Sequence, residues 1–150
     1  MSLKQQIETD IKTAMLARQK AELQALRAIK SMILLAETEK GNDGSVSAEA
    51  ELKLLMKAVK QRKDSAQIYK DQGREDLLTV ELAEIAVIEK YLPKQVSEEE
   101  IRTELEKIVA QVGAAGPQDM GKVMGLASKA LAGKADGKTI SGIVKSILVG

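Results

Sequence analysis

The sequence predicts an all-α fold on three observations. Apolar residues recur at intervals of three and four almost throughout, no stretch of four or more alternates cleanly as a half-buried strand would, and turn residues cut the pattern into seven pieces. Aromatic residues make up only 1% of the chain, so the core must be built from Leu, Ile, Val, Met and Ala. Leu, Met and Ala are strong helix formers.

Seven helices follow in order. Ser2 can cap the first, which carries Leu3, Ile7, Ile11, Ala14 and Met15 as its apolar stripe and is expected to run to about Gln19. The second is expected from about Glu22 to Glu39, with Leu26, Ile29, Ile33 and Ala36 inward, ending in the turn cluster KGNDGS at 40–45. The third starts near Ser47, holds Glu49 and Glu51 in its first turn where the helix dipole favours negative charge, and stops at Gly73 after Gln72. From Arg74 to Leu92 the set Leu78, Leu82, Ile85, Ile88 and Leu92 marks a fourth, ended by Pro93.

Ser97 and Glu100 in SEEE form a predicted capping box ahead of Ile101, Leu105, Ile108 and Val112, which define the fifth helix. Gly113 to Gly116 break the chain, and Pro117 opens a sixth helix that reaches Leu131 and stops at Gly133. Asp136 can cap the seventh, where Ile140, Ile143, Val144, Ile147 and Leu148 share a face. The boundary LPKQVS at 92–97 separates long helices from short ones, giving an expected amino-terminal four-helix-like bundle, 1–93, and a carboxy-terminal three-helix domain, 97–150.

Absent residue types exclude whole classes of function. The chain has no Cys, His, Phe or Trp. Zinc and most transition metals prefer thiolate or imidazole, so no metal site is expected. Cysteine nucleophiles and Ser-His-Asp triads are ruled out. No nucleotide-cradling Gly-Lys-Ser/Thr loop occurs, and no cofactor is expected. Base stacking on aromatic platforms has almost nothing to work with, so contact with nucleic acid would be to backbone and shape. The longest apolar run, residues 32–36, is far too short for a membrane span or a signal peptide, and the default expectation is a soluble cytoplasmic protein without a membrane partner. A net charge of +1 points to no particular partner.

Local charge is more informative. Lys53, Lys57 and Lys60, with Arg62 and Lys63, form a basic strip that reads either as a phosphate-binding surface or as a solvated helix face, with Asp64 favouring the latter. The acids of SEEE suit capping better than proton transfer, because three consecutive residues on a helix point in different directions. Asp43 lacks the spaced oxygen ligands of a calcium loop and reads as a turn.

The stretch DMGKVMGLASKALAGKADGK, 119–138, holds two glycines inside a helical pattern, each costing roughly 1 kcal/mol relative to alanine. Advancing 100° per residue puts Val123, Ala127, Ala130 and Leu131 on one side and Lys122, Gly125 and Lys129 on the other, with Gly121 and Ser128 beside them. Bare main chain flanked by lysines permits close approach of a phosphate chain or of another helix. On the last helix Lys138 and Lys145 stand seven apart near Gly142, and from Gly113 onward five lysines face two acids, whereas residues 1–93 balance at fifteen of each sign. Gly121, Lys122, Gly125, Lys129, Lys134, Lys138 and Lys145 are therefore the candidate RNA- or partner-binding residues, and no catalytic residue is nominated. Helix packing within the protein is the competing explanation for the glycines.

The runs KQRKDS at 60–65, EIAVIEKYLPKQVSEEEI at 84–101, and DMGKVMG with GKADGK within 119–138 resemble the GatB/YqeY family, most closely its small stand-alone YqeY-like members. The resemblance implies a four-helix-like amino-terminal domain and a carboxy-terminal domain similar to the tail of the B subunit of the glutamine-dependent tRNA amidotransferase. In that enzyme the tail helps hold tRNA while phosphorylation and amide transfer occur elsewhere. The resemblance thus implies tRNA as a partner for a non-catalytic accessory protein. Two alternatives stay open: an adaptor for an amidotransferase or synthetase subunit, and a carbon-nitrogen ligase using glutamine on aminoacyl-tRNA. No counterpart of the ATP-using body or of the serine-rich amidase fits within the chain.

Overall fold

The computed structural model describes residues 1–39, 41 and 43–149; Lys40 and Asn42, in the expected turn cluster, lie outside them. Among the described residues the fold is all-α, with seven helices and no strand. They are α1 Leu3–Leu16, α2 Lys20–Glu37, α3 Ala48–Asp71, α4 Glu75–Glu89, α5 Glu98–Val112, α6 Met120–Ala130 and α7 Gly137–Val149, with a 3-10 turn at Pro117–Asp119 before α6. The chain divides into two compact units, Met1–Leu92 and Pro93–Gly150.

In the first unit α1 packs on α2, α2 on α3 and α4, and α3 on α4. Its core contains Ile7, Ala25, Leu26, Ile29, Ile33, Leu55, Ala58, Ile85 and Ile88. The Ser2 and Ser47 hydroxyls accept from the backbone amides of Gln5 and Ala50 and start α1 and α3. Arg18, at φ 56°, ends α1 several residues earlier than periodicity suggests. Ion pairs Lys4–Glu37 at 3.0 Å and Lys30–Glu8 at 3.4 Å tie α1 to α2.

The apolar face of α4 is rotated from the expected one. Leu82 is 53% exposed, whereas Glu84 is buried beside Ile85, Val87 and Ile88. The reason is an ion pair: Arg62 Nε donates to Glu84 Oε2 at 2.9 Å, and its Nη1 donates to the Ala58 carbonyl at 3.2 Å. Met15 of α1, also expected inward, is 53% exposed.

In the second unit α5, α6 and α7 pack pairwise around Ile101, Leu105, Ile108, Val123, Ala127, Leu131, Ile140, Val144 and Leu148. Ser97 caps α5 by accepting from the Glu100 amide at 3.2 Å. The Glu100 carboxylate accepts from the Ser97 hydroxyl instead of closing a box on the Ser97 amide, so the predicted capping box is half formed. Gly113 ends α5 in the left-handed region at φ 66°, where a side chain would strain the backbone. Asp136 caps α7, accepting from the Thr139 amide at 2.7 Å and from its hydroxyl at 3.0 Å.

Candidate functional site

The site is built on α6. Asp119 accepts from the amides of Ala115 at 2.9 Å and Gly116 at 3.4 Å, which fixes the entry into the helix. Val123 and Ala127 are fully buried and lock one face of α6 against α5 and α7. Ala130, expected on that face, is exposed; the helix ends there and only Leu131 continues the buried stripe.

The opposite face of α6 is open. Gly121, Lys122, Gly125 and Lys129 line one shallow groove of about 580 Å³ together with Leu126 and, from α5, Val112. A Cβ added at Gly121 or Gly125 would meet no atom within 4 Å, so neither glycine is dictated by the protein's own packing. Among the described residues neither lysine of the groove has a carboxylate partner. Two ammonium groups therefore stand beside accessible main chain without internal neutralisation.

The other nominated lysines are exposed but lie elsewhere. Lys134 belongs to a different groove of about 510 Å³, which also holds Glu99, Glu100 and Glu104 of α5. Lys138 and Lys145 sit on the outer side of α7, flanking Gly142, which likewise has open space where a Cβ would be. The groove at α6 thus gathers four of the seven nominated residues.

Sequence reasoning missed Val112 and Leu126. Leu126 is 41% exposed and lies four residues after Lys122 and three before Lys129, which places an apolar side chain among the lysines. An apolar residue on the charged face was the available signal. No carboxylate, hydroxyl or imidazole lines the groove, whose only titratable side chains are the Lys122 and Lys129 amines. What it offers is attraction for anions, an apolar floor and close access to backbone.

The basic strip of α3 is largely neutralised. Lys53 pairs with Glu49 at 3.1 Å, Arg62 with buried Glu84, and Lys63 with Glu89 at 3.9 Å, leaving Lys57 and Lys60 exposed. Asp43 accepts from the Ser45 amide at 3.0 Å and from its hydroxyl at 2.6 Å, and these bonds lower its pKa. Among the described residues no group of three His, Cys, Asp or Glu could hold a metal ion, and no helix is long and apolar enough to cross a membrane.

Comparison with known proteins gives a consistent answer. The family described as Yqey-like protein matches residues 4–148. A protein of Clavispora lusitaniae named altered inheritance of mitochondria protein 41, mitochondrial, is 37% identical over 111 residues, 72% of this chain and 63% of its own length. The protein of the same name from Meyerozyma guilliermondii is 36% identical over 80% of this chain and 64% of its own. That of Pyrenophora tritici-repentis is 28% identical over 95% and 78%. The chain spans just under two thirds of the length of the first two.

These relatives carry a mitochondrial designation, which overturns the cytoplasmic location expected from composition. A chain without cysteine forms no disulfide in any compartment, so composition could not distinguish one location from another. With a family match running through both helical units and two relatives more than one third identical, the chain belongs to the YqeY-like protein family.

Proposed function

We propose that this protein is a non-catalytic accessory factor that holds tRNA by its phosphate backbone, using the α6 groove of a separate carboxy-terminal domain. One observation carries the reading: Lys122 and Lys129 stand unpaired beside the open main chain of Gly121 and Gly125. The relation of the family to the amidotransferase tail domain supports the choice of tRNA. Lys138 and Lys145 extend the positive charge along α7, and Lys134 adds to it at long range despite its acidic neighbours.

Binding through phosphates releases counterions, so affinity should fall steeply with salt, by a log-log slope of about −0.7 to −0.9 per neutralised phosphate. A gel shift with bulk tRNA at low and moderate salt, comparing the wild type with Lys122→Glu/Lys129→Glu, tests the assignment. Loss of the shift in the double variant supports it, and equal binding by both proteins rejects it.

A second reading has its own observation. Val112 and Leu126 give the groove an apolar floor, which suits an amphipathic helix from an amidotransferase or synthetase subunit. Gly125→Leu would then abolish capture of that subunit, and undiminished capture would count against it. The ligase alternative finds in the groove only the amines of Lys122 and Lys129, with no carboxylate, hydroxyl or imidazole beside them.

A further inference from the structure

We infer that the nucleic acid held at the α6 groove is double-helical RNA, bound through backbone and shape without regard to base sequence, which rests on the RNA reading given above. Single-strand binders gain about 1–3 kcal/mol per base by stacking on aromatic side chains. Both aromatic residues of the chain, Tyr69 and Tyr91, lie in the first unit, and the Tyr91 hydroxyl is already engaged by the Asp10 carboxylate. The three-helix unit has no aromatic residue at all. Its one arginine, Arg102, which could have stacked through its guanidinium, donates to the Ser146 hydroxyl at 3.0 Å.

Direct reading of bases has little to work with. No Arg, Asn or Gln lines the groove, and its two lysines carry point charges rather than the planar fork of an arginine. What remains is point charge and surface form. Lys122 and Lys129 are seven residues apart, about 10 Å along the helix axis. That spacing lets the two ammonium groups meet separate phosphates while Leu126 and the bare main chain of Gly125 between them lie against ribose. A duplex presents two phosphate strands and the wide, shallow minor groove of A-form RNA, and needs no stacking partner from the protein. A flexible single strand offers lower charge density and would be ordered without compensation.

The test uses the full chain and fluorescence anisotropy at low salt. The probes are two RNA duplexes of about 12 base pairs with unrelated sequences, and their separated strands. Both duplexes should bind with affinities within about twofold of each other and about tenfold or more tighter than the strands, and Lys122→Glu/Lys129→Glu should lose duplex binding. Circular dichroism confirms that the variant, altered only at exposed positions, remains folded. Strands bound as tightly as duplexes, or a tenfold preference between the two sequences, would leave the RNA reading standing and overturn this one. Absence of binding by every probe would remove both.

Discussion

The Arg62 guanidinium on α3 and the Glu84 carboxylate on α4 meet at 2.9 Å with side chains only 16% and 10% exposed, so a charged pair replaces apolar packing along part of that helix contact. Its attraction must offset the desolvation of both ions, and removing one partner strands the other. Arg62→Met should lower stability by about 3–5 kcal/mol, whereas Arg62→Met/Glu84→Leu should recover most of the loss. Urea unfolding of the single and double variants measures both. A double variant no better than the single would mean that the site cannot accept apolar packing.

Glu81 lies one turn before Glu84 and has a buried Oε2 without a hydrogen-bond partner among the described residues. Burial first, then the neighbouring Glu84 charge, raise its pKa above the usual 4.5, partly opposed by Arg62. Folding therefore strengthens proton binding at Glu81. The associated stability is fully present below about pH 4.5 and is lost as pH rises through the folded-state pKa. Glu81→Gln should be more stable than the wild type near neutral pH by roughly 1 kcal/mol, the difference closing on acidification. Thermal unfolding at a series of pH values follows the trend, and a constant difference across the range would contradict it.

Tyr91 donates to Asp10 across 81 residues of sequence, joining the end of the first unit to α1. Burial, then this carboxylate, push the phenol well above its usual 10.0. The stability it contributes is present below about pH 10 and disappears as pH climbs through the folded-state value. Tyr91→Phe should cost about 1.5–3 kcal/mol, as expected for a hydrogen bond to a charged group. In a Tyr69→Phe background, absorbance titration of the remaining phenol should show ionisation displaced above the ordinary range.

Gly125 has nothing within 4 Å of the position its Cβ would take, so Gly125→Ala should stabilise α6 by about 0.5–1 kcal/mol. If the open main chain serves the ligand, the same variant should bind tRNA less well while being harder to unfold. Denaturation and anisotropy on one preparation read both quantities. Improved stability with unchanged affinity would detach Gly125 from binding.

Most helices were legible because their stripes and caps are local signals. Ser2, Ser47, Ser97 and Asp136 cap the helices that they introduce in the sequence. The rotation of α4 was hidden because Glu84 and Arg62 are 22 residues apart, and no local pattern announces that a carboxylate will turn inward. Gly121, Lys122, Gly125 and Lys129 were placed on one face by the 100° advance alone. Val112 comes from another helix, so only packing could bring it to their groove. Of the runs carrying the family resemblance, KQRKDS and EIAVIEKYLP contain Arg62, Lys63, Glu84, Glu89 and Tyr91, which hold helices together.

The acid-lined groove of α5 gives the three-helix unit an uneven electrical landscape. There Glu99, Glu100 and Glu104 outnumber Lys107 and Lys134, while Lys122 and Lys129 draw a polyanion to another lip of the same small body, where no carboxylate stands. Approach becomes vectorial before any contact forms, and charge reversal at the three glutamates should speed capture while blurring orientation.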